Sequence, residues 1–155
     1  MTTTKKTDIH KWYLHTIAPK DKIIQKRVLD LDEWKSASNV HLYRSLSDEV
    51  CTKLLTYDAY HISNKDIFFP ATDVQYNPID IDLVIVPGRS FDTNCNRTGR
   101  GGGYYDKFLS LLNVCKRSYY IGLAYDEQVV EHMVSNAWDV PVDMVVTETT
   151  LYKRR

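Results

Sequence analysis

Residues 80–112 read DIDLVIVPGRSFDTNCNRTGRGGGYYDKFLSLL. Within them, Asp82 to Pro87 is a short, nearly continuous apolar run rich in β-branched residues, which predicts a strand buried on both faces of a largely parallel sheet. Pro87-Gly88 ends it. From Tyr105 onward the apolar residues fall at Tyr105, Phe108, Leu109 and Leu112, the i, i+3, i+4, i+7 spacing of one helix face. A strand therefore leads through a loop into a helix. Of the six glycines in the chain, Gly99, Gly101, Gly102 and Gly103 stand together immediately before that helix, with Arg100 among them. Glycines at a helix start let several backbone N–H groups converge where the helix end adds partial positive charge, so an anion is expected there. Arg97 and Arg100 add full charges on forked donors suited to phosphate oxygens. Asp106 places a carboxylate one turn into the helix. Beside a phosphate this is repulsive unless a cation lies between, which points to Mg²⁺ bridging protein and nucleotide. The alternative is a plain surface turn followed by an acid that complements the helix dipole. Neither GxGxxG nor GxxxxGK[ST] is present, so the general nucleotide fingerprints do not apply.

Working outward, the 155 residues are 43% hydrophobic, which fits one domain with a core that needs no staples. Twenty basic and 20 acidic residues cancel, so no global field recruits nucleic acid or an anionic membrane, and any anion site is local. Cys51, Cys95 and Cys115 form no CxxC pair, and no histidine pair has zinc-ligand spacing. This fits a reducing compartment. With no run of membrane-spanning length and no signal-peptide core after Met1, the expected location is cytoplasmic.

Before the motif, Ile9, Tyr13 and Ile17 predict a first helix over 5–17, closed by Ala18-Pro19. A second helix is predicted from Pro19 to about Lys35, burying Ile23, Ile24, Val28, Leu31 and Trp34. Asn39 to Tyr43 reads as a strand. Ser45 to Asp48 resembles a capping box opening a helix that has Glu49 in its first turn and carries Val50, Leu54 and Leu55. Ile67 to Pro70 is another strand. After the motif come a strand over 119–124, a short helix over 127–134 with Val129, Val130, Met133 and Val134 inward, and a last strand over 142–147. Lys153-Arg154-Arg155 reads as a frayed, solvated end. The alternation predicts a three-layer α/β domain, its mostly parallel sheet flanked by helices on both faces and its ligand site at the strand carboxyl ends.

Pro87-Gly88-Arg89-Ser90-Phe91-Asp92, Arg97 and Gly99 to Asp106 closely resemble the signature of the 5-formyltetrahydrofolate cyclo-ligase (methenyltetrahydrofolate synthetase) family. Ile121 to Gln128, then Asp139 to Asp143 with Val146-Thr147-Glu148, are similar to its later segments in the same order. The likeness covers about the last half of the chain. It implies ATP- and Mg²⁺-dependent conversion of 5-formyltetrahydrofolate to 5,10-methenyltetrahydrofolate with release of ADP and phosphate. By that resemblance, Arg97, Thr98, Gly99, Arg100, Gly101, Gly102, Gly103, Tyr104 and Tyr105 bind ATP, and Arg100 and Tyr104 are the catalytic residues. Asp106 and Asp139 hold the metal, with Asp143 the nearby alternative. Arg44, Glu49, Arg100, Gly101 to Gly103 and Tyr104 face the folate. Near the N-terminus, Lys6 to His10 is similar to a Lys-x-x-Leu-Arg segment whose basic residues approach ATP phosphates, so Lys6 and His10 join the ATP set, with His10 where the family has arginine.

The chain departs from the family in three further places. Between residues 70 and 81 it is shorter than the family usually is, where relatives wall the folate pocket, which predicts weaker folate binding. Ala71 stands where arginine is common. Cys95 occupies the glycine position of a Phe-Asp-x-x-Gly-x-Arg pattern, so the turn there is expected either to be reshaped or to need no positive φ. Two other readings stay open: a non-catalytic folate or nucleotide binder derived from the family, and an interaction module that kept the fold alone. The implied partners are the folate and ATP, with neither nucleic acid nor membrane, and the oligomeric state is left open.

Overall fold

The computed structural model describes residues 15–70, 80–115 and 118–155. The helix expected over 5–17 lies almost wholly outside these residues, as do Lys6, His10 and Ala71. Six strands form the main sheet: β1 (Asn39–His41), β2 (Asp66–Phe68), β3 (Leu83–Val86), β6 (Tyr119–Leu123), β8 (Met144–Val146) and β9 (Leu151–Lys153), in the order β2-β1-β3-β6-β8-β9. Within it all pairings are parallel except β8 with β9. A small second sheet joins β4 (Ser90–Asp92) antiparallel to β5 (Arg97–Thr98) and parallel to β7 (Val129–Val130).

The period of two along each central strand divides the core. Leu83, Ile85, Ile121, Leu123, Met144 and Val146 pack on one face with Ile24, Val28 and Trp34 from the N-terminal helices and Leu55 from the helix Lys53–Tyr57. Val84, Val86, Tyr120 and Val145 pack on the other against Phe108, Leu109 and Leu112 of the helix Tyr104–Cys115. Helices thus cover both faces, the three-layer α/β arrangement expected, and all four residues of β3 are buried.

Several local expectations are corrected. The helix from Pro19 stops at Leu29, Leu31 is extended (φ −74°, ψ 140°), and a separate turn of helix, Asp32–Ser36, carries Trp34. The break lets the Trp34 indole reach Asp58 Oδ2 at 2.9 Å while its rings stay in the core. Ile23 is 47% exposed; Asp21 and Gln25 take the inward positions instead. Gln25 does so because the helix Lys53–Tyr57 lacks a side-chain cap of its own: Gln25 Oε1 accepts the Leu54 and Leu55 N–H groups at 2.8 and 3.2 Å. That helix starts later than expected. Glu49 Oε1 accepts the Leu46 N–H at 2.8 Å and Glu49 N–H returns to Leu46 O at 3.0 Å, so 46–49 closes as a turn rather than a first helical turn.

Beyond the motif, 127–134 is not a helix. After a single 3₁₀ turn, Asp126–Gln128, Val129 and Val130 extend alongside Phe91 and Asp92, and Val130 and Val134 face outward. The β-branched pair here satisfies the edge of the small sheet. The chain end is docked, not frayed: Lys153 pairs with Met144, Arg154 N–H donates to Asp143 O at 3.0 Å, and Arg154 Nη1 donates to Asn94 O at 2.9 Å.

Phe91 fastens the small sheet to the large one. A Cβ on Gly122 in β6 would stand 2.5 Å from its ring and one on Gly88 2.8 Å, so both positions need glycine for the ring to fit. Close approach, not backbone conformation, is what these glycines provide. The turn 92–96 that comes next keeps a left-handed residue after all: Cys95 has φ +68° and is fully buried. Asp92 Oδ1 accepts the Asn94 and Asn96 N–H groups at 3.0 and 2.9 Å and fixes the turn in that shape.

Candidate active site

At the carboxyl end of β3, Pro87 and Gly88 open a cavity of about 900 Å³. The hairpin β4–β5, the glycine loop and the start of the helix Tyr104–Cys115 form one wall; Glu49 and the segment 134–139 complete it. Of the expected residues, Glu49, Arg97, Thr98, Gly99 to Asp106 and Asp139 all line this one cavity. Arg44 does not; its guanidinium lies 4.0 Å over the Phe69 ring. Lys6 and His10 fall outside the described residues.

Arg97 is the fixed cation. Its side chain is only 6% exposed, Nε donates to Pro87 O at 2.7 Å, and the guanidinium lies 5.3 Å over the Tyr105 ring and 3.7 Å from Asp106 Oδ1. Burial lowers its proton affinity while Asp106 raises it, and guanidinium stays charged throughout. Next to it the backbone turns left-handed at Gly101 (φ +94°) and Gly103 (φ +69°). An added Cβ at Gly101, Gly102 or Gly103 would meet nothing within 4 Å, so the loop faces open space from which a ligand can approach its backbone. Arg100, by contrast, is half exposed and reaches away from the loop: Nη2 pairs with Asp48 Oδ1 and Nε stands 3.7 Å from Glu49 Oε2.

Asp106 and Asp139 come from different segments that meet. Asp106 Oδ1 accepts the N–H of Val140 at 3.1 Å, tying the first helical turn to the residue after Asp139, and Asp139 Oδ2 accepts the Asn136 N–H at 2.7 Å. Among the described residues, no group of three or more His, Cys, Asp or Glu side chains forms a metal cage. Mg²⁺ needs none: it takes one or two protein carboxylates and completes its shell with phosphate oxygens and water, a donor set that Asp106 and Asp139 fit. Asp143 turns elsewhere, accepting the Tyr120 N–H at 2.7 Å, and its carboxyl is raised above the usual range by burial.

Tyr104 is exposed, with its ring near that of Tyr105 (5.0 Å) and stacked towards Phe108 (5.9 Å). Behind this rim, buried His41 stands 4.5 Å from Phe108, its proton affinity lowered to about 4 by desolvation. Sequence reasoning missed Lys107, Asn136, Val134 and Trp138, which also line the cavity. Trp138, at 70% exposure, presents its indole at the rim of the cavity. The available signal was its place directly before Asp139.

A sequence model of the 5-formyltetrahydrofolate cyclo-ligase family matches residues 72–148. The 5-formyltetrahydrofolate cyclo-ligase of Mycoplasma genitalium is 31% identical over 137 residues, covering 81% of each chain. That of Haemophilus influenzae is 28% identical over 156 residues, covering 79% of this chain and 82% of the relative. In three dimensions, the 5,10-methenyltetrahydrofolate synthetase of Aquifex aeolicus superposes with a TM-score of 0.75 at 27% identity, over 97% of this chain and 93% of that one. Fold and cavity together define an α/β protein whose glycine loop borders a cavity at the strand carboxyl ends. The chain belongs to the 5-formyltetrahydrofolate cyclo-ligase family.

Proposed function

We propose that this protein, as a single cyclo-ligase-like domain spanning 1–155, converts 5-formyltetrahydrofolate to 5,10-methenyltetrahydrofolate with consumption of one ATP and release of ADP and phosphate. The observation that carries this reading is that one cavity gathers the glycine loop, buried Arg97, the carboxylates Asp106 and Asp139, and Glu49 from the opposite wall. A phosphate site and an acid able to accept ring N–H groups face one another.

The formyl oxygen is a poor leaving group. Transfer of the γ-phosphoryl group onto it makes a good one; N10 then attacks the activated carbon, and phosphate departs with the former formyl oxygen. Arg97, Arg100 and the loop N–H groups neutralise charge that grows on the transferring group, and loss of one such donor from a preorganised site costs on the order of 10²- to 10³-fold in rate. Bound Mg²⁺ would supply charge neutralisation on the β- and γ-phosphates, held by Asp106 and Asp139. Glu49, anchored through Oε1 by the Leu46 N–H, offers its other oxygen to the pterin. Tyr104 flanks the meeting point of the two ligands.

Among the described residues no helix is long and apolar enough to cross a membrane. Cys51 and Cys95 are free thiols, which supports a reducing, cytoplasmic setting. A turnover assay tests the reading: methenyl product is followed by its absorbance with 5-formyltetrahydrofolate, ATP and Mg²⁺ all present, and with each left out. Product that requires all three is expected. Binding of both ligands without product would mark a non-catalytic descendant, and the reading would fall.

A further inference from the structure

Arg100 shares the cavity with the glycine loop, yet both of its acidic partners belong to the turn 46–49 on the opposite wall: Asp48 Oδ1 at Nη2 and Glu49 Oε2 at Nε. The two sides of this contact differ in freedom. The acid turn is pinned, since Leu46 and Glu49 bond each other twice, the next residue, Val50, accepts the Tyr43 hydroxyl through its carbonyl at 2.7 Å, and the Tyr125 hydroxyl, itself donating to Asp21 Oδ1 at 2.5 Å, lies 3.5 Å from Glu49 O. The arginine loop is not pinned in that way: it turns through two left-handed glycines, and the Cβ positions of Gly101, Gly102 and Gly103 touch nothing within 4 Å. The acids therefore set where Arg100 rests, not the reverse.

Charge decides how the contact responds to a ligand. Arg100, Asp48 and Glu49 together carry a net charge of about −1, so the guanidinium in this position faces two carboxylates and is withheld from an incoming anion. The contact is solvent-exposed on both the Arg100 and Asp48 sides, and exposed ion pairs are weak enough for a multivalent anion to displace. Glu49 is in a different position. Its side chain is only 10% exposed, Oε1 is engaged by Leu46, and Oε2 is the oxygen that faces Arg100.

We propose that Asp48 is a positioning residue that holds Arg100 on the acid turn until a phosphate group at the glycine loop takes the guanidinium, and that the exchange frees Glu49 Oε2 for the second ligand. This rests on the reading of the cavity as a joint phosphate and folate site. Anion binding and folate binding are then positively coupled, and the coupling is reciprocal. Asp48 need not touch either ligand; it acts through Arg100.

The test is calorimetry on the full chain with inorganic triphosphate, and with 5-formyltetrahydrofolate in the presence and absence of that anion. Asp48→Asn, which keeps size and removes charge, is expected to tighten triphosphate binding about two- to fivefold, the range of an exposed ion pair. It should also bring the factor by which triphosphate improves folate affinity closer to one. Asp48→Glu should restore both towards wild type, which a merely structural role would not require. Triphosphate binding that is unchanged or weaker in Asp48→Asn, with wild type binding normally, overturns the proposal and leaves the phosphate-site reading in place. Absence of triphosphate binding in both proteins overturns both.

Discussion

Arg97 Nη1 and Asp106 Oδ1 stand 3.7 Å apart where the glycine loop enters its helix, so the carboxylate that borders the proposed phosphate site already faces a buried cation before any ligand arrives. This arginine supplies part of the compensating charge that the sequence pattern assigns to a bridging metal. Asp106 therefore already has two partners, Arg97 and the Val140 N–H, and the proposed function adds Mg²⁺ as a third. Asp106→Asn keeps an acceptor for Val140 but leaves the Arg97 charge less compensated. It should cost about 1 kcal/mol of stability and lower turnover about a hundredfold at limiting Mg²⁺, with part of the loss recovered at higher metal. Turnover unchanged across a Mg²⁺ titration would remove Asp106 from the metal site.

Cys95 is a buried side chain on a backbone with φ +68°. A left-handed conformation costs a residue with a Cβ roughly 1–2 kcal/mol, while losing one buried methyl group costs about 0.8 kcal/mol. The strain outweighs the methyl group. Cys95→Gly is therefore expected to melt no lower than Cys95→Ala, although it deletes one more carbon. The opposite order, by several degrees, would mean that packing of the β-carbon outweighs the backbone strain at this position. Burial also raises the thiol to about 11, so labelling by thiol reagents at neutral pH should be slow in the folded protein.

Gly122→Ala would drive a methyl group to 2.5 Å from the Phe91 ring. A destabilisation of about 1–3 kcal/mol is expected from overpacking. Because the strain is shared by two residues, Phe91→Leu in the same chain should recover part of it. A double-mutant cycle by chemical denaturation reads this directly, and additive effects would show that Phe91 is not the residue that excludes the methyl group.

His41 is buried in β1, and desolvation lowers its folded-state proton affinity from the ordinary 6.5 to about 4. The unfolded chain then binds a proton that the folded chain refuses, so stability falls as pH drops from 6.5 towards 4 and levels below that. The full contribution is about 3 kcal/mol. His41→Phe should flatten the profile of the urea midpoint over this window. An equally steep profile in the variant would place the titration on another group.

Legibility in the sequence tracks the strength of the physical signals it carries. The continuous run Leu83 to Val86 and the period of Tyr105, Phe108, Leu109 and Leu112 announced a doubly buried strand and its helix, because burial on two faces or on one stripe leaves a mark along the chain itself. Other positions depended on partners distant in sequence. Gln25 is buried only because Leu54 and Leu55 need an acceptor, and Val129 and Val130 extend only because β4 offers an edge. Neither partner can be inferred from local pattern. In the candidate site the glycine loop and Asp106 were visible as a cluster, whereas the contact of Arg100 with Asp48 joins residues 52 positions apart and its direction, away from the loop, has no sequence signature.

Transfer of the phosphoryl group of ATP to the formyl oxygen at the glycine loop is the central claim, and the fate of that oxygen tests it most directly. 5-Formyltetrahydrofolate carrying heavy oxygen in its formyl group is turned over with unlabelled ATP and Mg²⁺, and the released phosphate is examined by mass spectrometry. One heavy oxygen in each phosphate, with one methenyl product formed per ATP consumed, is the predicted result. Methenyl product accompanied by unlabelled phosphate, with the heavy oxygen lost to water, would contradict the account.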